Sequence, residues 1–279
     1  MLKTISYGLL LLCLVATLQA QDNTTPIGQR NWLEGGSRNT HETTPPPLTY
    51  PETRPADILW EKRIWREVDT REKLNLVFRS PEHSLFELIQ QGIKTGAVQV
   101  YRPIDDHFTT PFTAAEIEAQ FNQTDTIIVR DPETGEYYSQ VITNEFDPAR
   151  IKRWRLQEVW YFDARYGGMR VRILGLAPIL DSYDEEGQTV RYSSPMFWIN
   201  YKQARTYLAS HPIFNAGNDK TVLSWDDLFQ MRRFSSYVYR ESDLLGRRLQ
   251  DYATGVKLLQ KSQQIDDAML NREMDSWSY

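Results

Sequence analysis

The residues from which a general base or a metal site is ordinarily built are scarce and scattered: His41, His83, His107 and His211 lie far apart in the chain. None has the two-histidine helical spacing that holds zinc. Asp105-Asp106-His107 is the triplet most like a metal site, but it follows Pro103 in a turn-like stretch, where acidic side chains more often cap the next segment. Asp181 to Gly187 resembles a calcium loop only in part. Tyr183 and Glu186 stand where an oxygen ligand and the sharp-turn glycine belong. No Gly-x-Ser-x-Gly elbow, phosphate loop or dinucleotide fingerprint occurs. A carboxylate pair for glycoside cleavage is recognised by its separation in space, so the 37 acidic residues neither favour nor oppose one. The expectation is a chain without catalytic residues, cofactor or metal.

Charged and aromatic residues interleaved within strand-like runs carry more information. Arg63, Arg66, Asp69, Arg71, Glu72, Asp163, Arg165, Arg170 and Arg172 alternate with tryptophan and aliphatic positions. Two explanations stand side by side. One is a solvated face of an antiparallel sheet with cross-strand ion pairs. The other is an assembly surface, since arginine and tryptophan concentrate at protein interfaces. Trp60, Arg63, Trp65, Arg66 and, at the chain end, Trp277 are the candidate interface residues.

The elements that must position them follow from periodicity and punctuation. Residues 58–69 carry β-branched and aromatic side chains that predict a strand. Ser80-Pro81 predicts a helix start, with the helix running through Leu85, Leu88, Ile89 and Ile93 to Gly92 or Gly96. Thr113-Ala114-Ala115-Glu116 is a capping box for a short helix ending at Phe121. Ile127 to Arg130 and Tyr137 to Ile142 predict a hairpin about Asp131 to Gly135, and Leu156 to Arg165 with Arg170 to Ala177 a second. A turn at Asp184 to Gly187, a strand around Phe197 to Tyr201 and a helix capped at Ser224 follow. Val256 to Tyr279 predicts a closing helix, taken as serving assembly more than folding. Helices and hairpins alternate without a βαβ rhythm. The predicted class is therefore α+β: antiparallel hairpins interspersed with short helices, forming one compact core with a C-terminal helix.

The first twenty residues predict a cleaved export signal: Lys3 supplies the charge, Leu9 to Leu18 the apolar stretch and Ala20 the cut. Cys13, the one cysteine, follows Leu11-Leu12, which are too large for a lipidation signal, so no disulfide or membrane attachment is expected of the mature chain. Residues 21–56 hold six of the fourteen prolines, including Pro45-Pro46-Pro47, and predict a disordered tether. The organisation expected is signal 1–20, tether 21–56, core 57–255 and amphipathic helix 256–279. A net charge of −5, with basic residues spread among acids, makes nucleic acid a poor partner.

Three segments together resemble a known family. They are Leu59 to Asn75, Ile173-Leu174-Gly175-Leu176-Ala177-Pro178, and Leu223 to Phe229 continuing through Met231 to Ser242. They are similar to the gliding-motility protein GldN, called PorN in non-gliding relatives, over about residue 57 to the C-terminus. The resemblance implies a non-catalytic periplasmic subunit of the type IX secretion system. It would bind the outer-membrane lipoprotein GldK (PorK), self-associate in a large ring beneath the outer membrane, and meet the periplasmic part of GldM (PorM). GldM's inner-membrane partner GldL (PorL) would power the assembly. No cofactor and no catalytic residue carry over. The rival expectation, from the abundant Trp and Tyr, is an exported glycan-binding or glycan-cleaving protein.

Overall fold

The computed structural model describes residues 46–81, 84–130, 137–184, 189–213 and 223–276. In chain order these form β1 (Ile58–Asp69), α1 (Leu85–Lys94), β2 (Val100–Tyr101), α2 (Ala114–Phe121), β3 (Asn122–Arg130), β4 (Tyr137–Glu145), β5 (Arg153–Asp163) and β6 (Gly168–Tyr183). There follow β7 (Val190–Pro195), β8 (Trp198–Asn200), α3 (Tyr201–Ala209), β9 (Pro212–Ile213), β10 (Leu223–Ser224), α4 (Trp225–Gln230), β11 (Tyr237–Glu241) and α5 (Val256–Ser276). The export signal, the tether up to residue 45, the turns at 131–136 and 185–188, and Trp277 lie outside the described residues.

The α+β class holds. The long hairpin β5–β6 is the centre of an antiparallel sheet in the order β11-β1-β5-β6-β8-β2, with β7 also on β6. β3–β4 is a separate two-stranded ribbon. β1 is central rather than an edge, and this explains its composition. Its side chains alternate between two faces, and both are covered. Ile64 packs with Val238, Leu249 and Met269, whereas Trp65 packs with Ala177, Trp198 and Tyr239. Residues 64–68 are consequently all buried. Residues 58–63 alternate between half-buried and exposed, whereas over 64–68 neither face is solvated.

The helices fill the main core, where Phe78 meets Trp225 and Phe229 edge-on at centroid distances of 5.5 and 5.8 Å. α1 begins later than the Ser80-Pro81 signal. Ser80 closes a preceding 3-10 stretch, its N–H donating to the Val77 carbonyl. Ser84 is the cap, because Glu87 sits where it can return a bond to the Ser84 N–H while Ser84 Oγ accepts from the Glu87 N–H. Gly96, at φ +73°, takes the left-handed position just past the C-cap. The boxes at Thr113 and Ser224 form as expected.

Other elements also differ from the expectation. The strand predicted through Tyr201 stops at Asn200, whose side chain accepts from the Gln203 N–H and opens α3. β7 was not foreseen, nor were the short strands β2, β9 and β10 or the edge strand β11. The Asn-x-x-Gln spacing was the available sign of α3, outweighed by the apolar run Phe197 to Ile199 that precedes it.

The described part of the expected tether, residues 46–56, lies against the core rather than free of it. Arg205 Nη2 donates to the Leu48 carbonyl, and the Tyr50 ring packs against the guanidinium carbons of Arg172 (3.7 Å) and Arg205 (4.0 Å). Arg205 is itself held by a bidentate pair with buried Asp226, which also accepts from the Tyr201 hydroxyl. Prolines here shape an extended segment that docks through its one aromatic.

Candidate protein interface

The five candidate interface residues fare differently. Arg63 is exposed, and its backbone N–H donates to Ser242 Oγ at 3.3 Å. Trp60 is half-buried against the α5 cluster, with the Arg272 guanidinium 4.7 Å from its ring. Trp65 and Arg66 are 7% and 5% exposed, each covered by elements distant in the chain. The Arg240 guanidinium lies 3.6 Å over the Trp65 ring from β11, and Arg66 reaches Asp266 on α5. Trp277 lies outside the described residues.

What organises this region is a set of buried carboxylates that the strand pattern did not single out. Glu158 is fully buried on the face of β5 shared with Arg66. Its carboxylate accepts from Arg66 Nε (3.1 Å), Arg232 Nη1 (2.7 Å) and the Trp160 indole N–H (2.9 Å). Burial works against the Arg66 charge, but Glu158 and Asp266 outweigh it and hold the guanidinium above its ordinary pKa. A lone acid in the otherwise apolar row Trp154, Leu156, Trp160 faces a lone arginine in the row Ile64, Arg66, Val68. That complementarity was written in the chain, yet becomes visible only when the register pairs Arg66 with Leu156.

The opposite face carries a second network. Glu67, 1% exposed, accepts from Arg153 Nη1 (3.2 Å), Arg155 Nη2 and the Tyr237 hydroxyl. Arg153 also pairs with Asp181, which accepts from Ser193 Oγ as well. Burial and the adjacent Glu67 charge push the Tyr237 phenol well above the usual tyrosine range, so it stays a donor. The Arg155 guanidinium lies 3.8 Å over the Tyr239 ring. These residues floor a cleft of about 610 Å³, which shares Arg155, Tyr239 and Arg248 with a neighbouring hollow of about 380 Å³. Together they make one groove.

The Asp105–His107 turn walls the second hollow. Asp105 accepts from the His107 N–H and the Thr109 hydroxyl, and Asp106 pairs with Arg240. Next to it Phe108 adopts φ 57°, an unusual conformation for a bulky residue. Its ring is wedged against Tyr101 and Trp198 over Gly175, where an added Cβ would come within 2.5 Å of the Phe108 ring. Gly175→Ala should therefore destabilise the chain by ~1–3 kcal/mol through overpacking. A thermal melt checks this, and an unchanged midpoint would mean the ring is free to swing away.

Among the described residues no helix is long and apolar enough to cross a membrane. A model of the family described as Gliding motility associated protein GldN matches residues 53–278. The chain belongs to the GldN family. The match covers every strand and helix of the core and the end of the docked lead that adjoins it. GldN proteins are associated with gliding motility and type IX secretion. No curated protein matches the chain.

Proposed function

We propose that this GldN-family chain is a non-catalytic structural subunit of the type IX secretion machinery, working in the periplasm at the inner face of the outer membrane. The family match over residues 53–278 carries this proposal. In it the subunit binds the lipoprotein GldK (PorK), associates with further copies in a ring, and meets the periplasmic part of GldM (PorM), with secretion and gliding depending on the assembly. The architecture agrees with a mechanical role. Buried ion pairs and arginine–aromatic stacks tie β1 at once to β5, β11 and α5. A force applied at one element is then resisted by several. Arg63 and the open part of Trp60 are the candidate residues that stay accessible for contact with a neighbour.

The test is biochemical. The protein is purified from native envelopes under mild detergent, with crosslinking of intact cells and mapped residue pairs. Co-migration with an outer-membrane lipoprotein in a very large particle is the expected result. A monomer that binds or cleaves cell-wall sugars would sink the proposal and favour the glycan alternative.

A further inference from the structure

The groove on the face opposite α5 is built for an occupant. Four consecutive residues of β7, Val190 to Ser193, line its larger cleft. Other lining residues come from β11, β1, β5 and β6, so the cleft spreads across one face of the sheet and is bounded on one side by β7. β7 pairs only with β6 among the described residues, so it forms that margin of the sheet.

The charge of the cleft says what kind of occupant. Its cations fall into two groups. Arg71, Arg153 and Arg155 are neutralised by Asp69, Glu67 and Asp181. Lys152, Arg191 and Arg248 also line the cleft and have no carboxylate partner among the described residues; Lys152 donates only to the Tyr183 hydroxyl. Arg191 and Arg248 are exposed. The free charge in the cleft is thus positive, in a chain that is negative as a whole. In the adjoining hollow the Trp65 indole N–H and Arg155 Nε are buried donors without an acceptor. Buried Glu67 and Asp181 on the floor disfavour a densely charged polyphosphate. Exposed Tyr192 at the rim is of the residue type that anchors protein interfaces.

We propose that this groove takes an extended acidic segment of a partner protein, lying across the sheet face beside β7 with its carboxylates toward Arg191, Arg248 and Lys152. The inference rests on the groove alone and is independent of ring formation.

The probe is a fluorescein-labelled decapeptide of alternating glutamate and valine, titrated into the purified chain by anisotropy. Its lysine–valine counterpart is the control. The acidic peptide should bind, with affinity falling at least tenfold between low and physiological salt, while the lysine peptide does not bind. Arg191→Glu combined with Arg248→Glu should weaken binding at least tenfold. Both side chains are exposed and without a carboxylate partner among the described residues, and that of Arg248 touches only the Tyr239 ring at 6.0 Å, so the melting temperature should move little. Hydrogen exchange should show residues 190–195 newly protected in the complex. Absence of binding in a well-folded chain overturns the proposal, as does binding indifferent to the double substitution or without protection of β7. Tighter capture of a sulfated tetrasaccharide by the same arginines would also overturn it, assigning the groove to glycan. A chain that fails here yet still purifies in a large lipoprotein complex refutes only the groove assignment.

Discussion

Glu158→Ala should lower the melting temperature of the chain by about 10 °C. The carboxylate is fully buried and holds two guanidinium groups and an indole N–H. Removing one member of a buried pair leaves an uncompensated charge, which costs ~3–5 kcal/mol. In a domain of this size each kcal/mol moves the midpoint by roughly 2–4 °C. The partners left behind are Arg66, whose remaining pair, Asp266, is itself partly open to solvent, and the partly exposed Arg232. The companion experiment separates charge from packing. Glu158→Leu with Arg66→Met replaces the pair by apolar groups and should recover most of the loss, because well-packed hydrophobic replacements of buried pairs are often neutral. A drop below about 2 °C in the single variant would mean that water reaches the site and screens Arg66.

A chain ending at Gly255 should lose roughly 4–6 kcal/mol, from about 1.5–3 kcal/mol for each large apolar side chain taken from a buried site. α5 contributes buried Met269 with half-buried Leu258 and Ile265, covering Ile64, Val238, Trp60 and Trp160. It also supplies Ser262, whose hydroxyl accepts the Val238 N–H at 2.7 Å, and Asp266 for Arg66. A broad, early thermal transition by circular dichroism is the expected result. These contacts argue against the expectation that the segment serves assembly more than folding. A truncated chain melting like the full one would restore that expectation, and complex formation would then be the property to measure.

Much of the local structure was legible because it is decided by neighbours in the chain. The Thr113 and Ser224 boxes each need one hydroxyl and one carboxylate three residues on, and both formed. The turn Tyr166-Gly167-Gly168 between two β-rich runs produced the β5–β6 hairpin, with Gly167 in the left-handed region. Ser80 misled for an equally local reason: its N–H was already committed to the turn before it. For α3, a short apolar strand run ending in Asn200 hid a cap whose partner, Gln203, lies on the far side of the boundary.

The candidate interface was less legible, and Trp65 and Arg66 show why. Tryptophan and arginine are types that suit both a docking surface and a buried cation–π or ion-pair core. Residue type and spacing leave the two equal. The choice was made by β11 and α5, which arrive some 170 to 200 residues later to lay Arg240 on Trp65 and Asp266 on Arg66. The groove was invisible for the same reason, being lined by residues of β1, β5, β6, β7 and β11.

The amino-acid sequence by itself determined the α+β class, the caps, the central hairpin and the GldN resemblance, since these depend on short-range hydrogen bonding, side-chain alternation and recognisable runs of residues. Which strands are central, which form the margin and which charges are buried were decided only by tertiary structure. Burial is a property of what packs on a residue from elsewhere, and no local pattern encodes the partner's arrival.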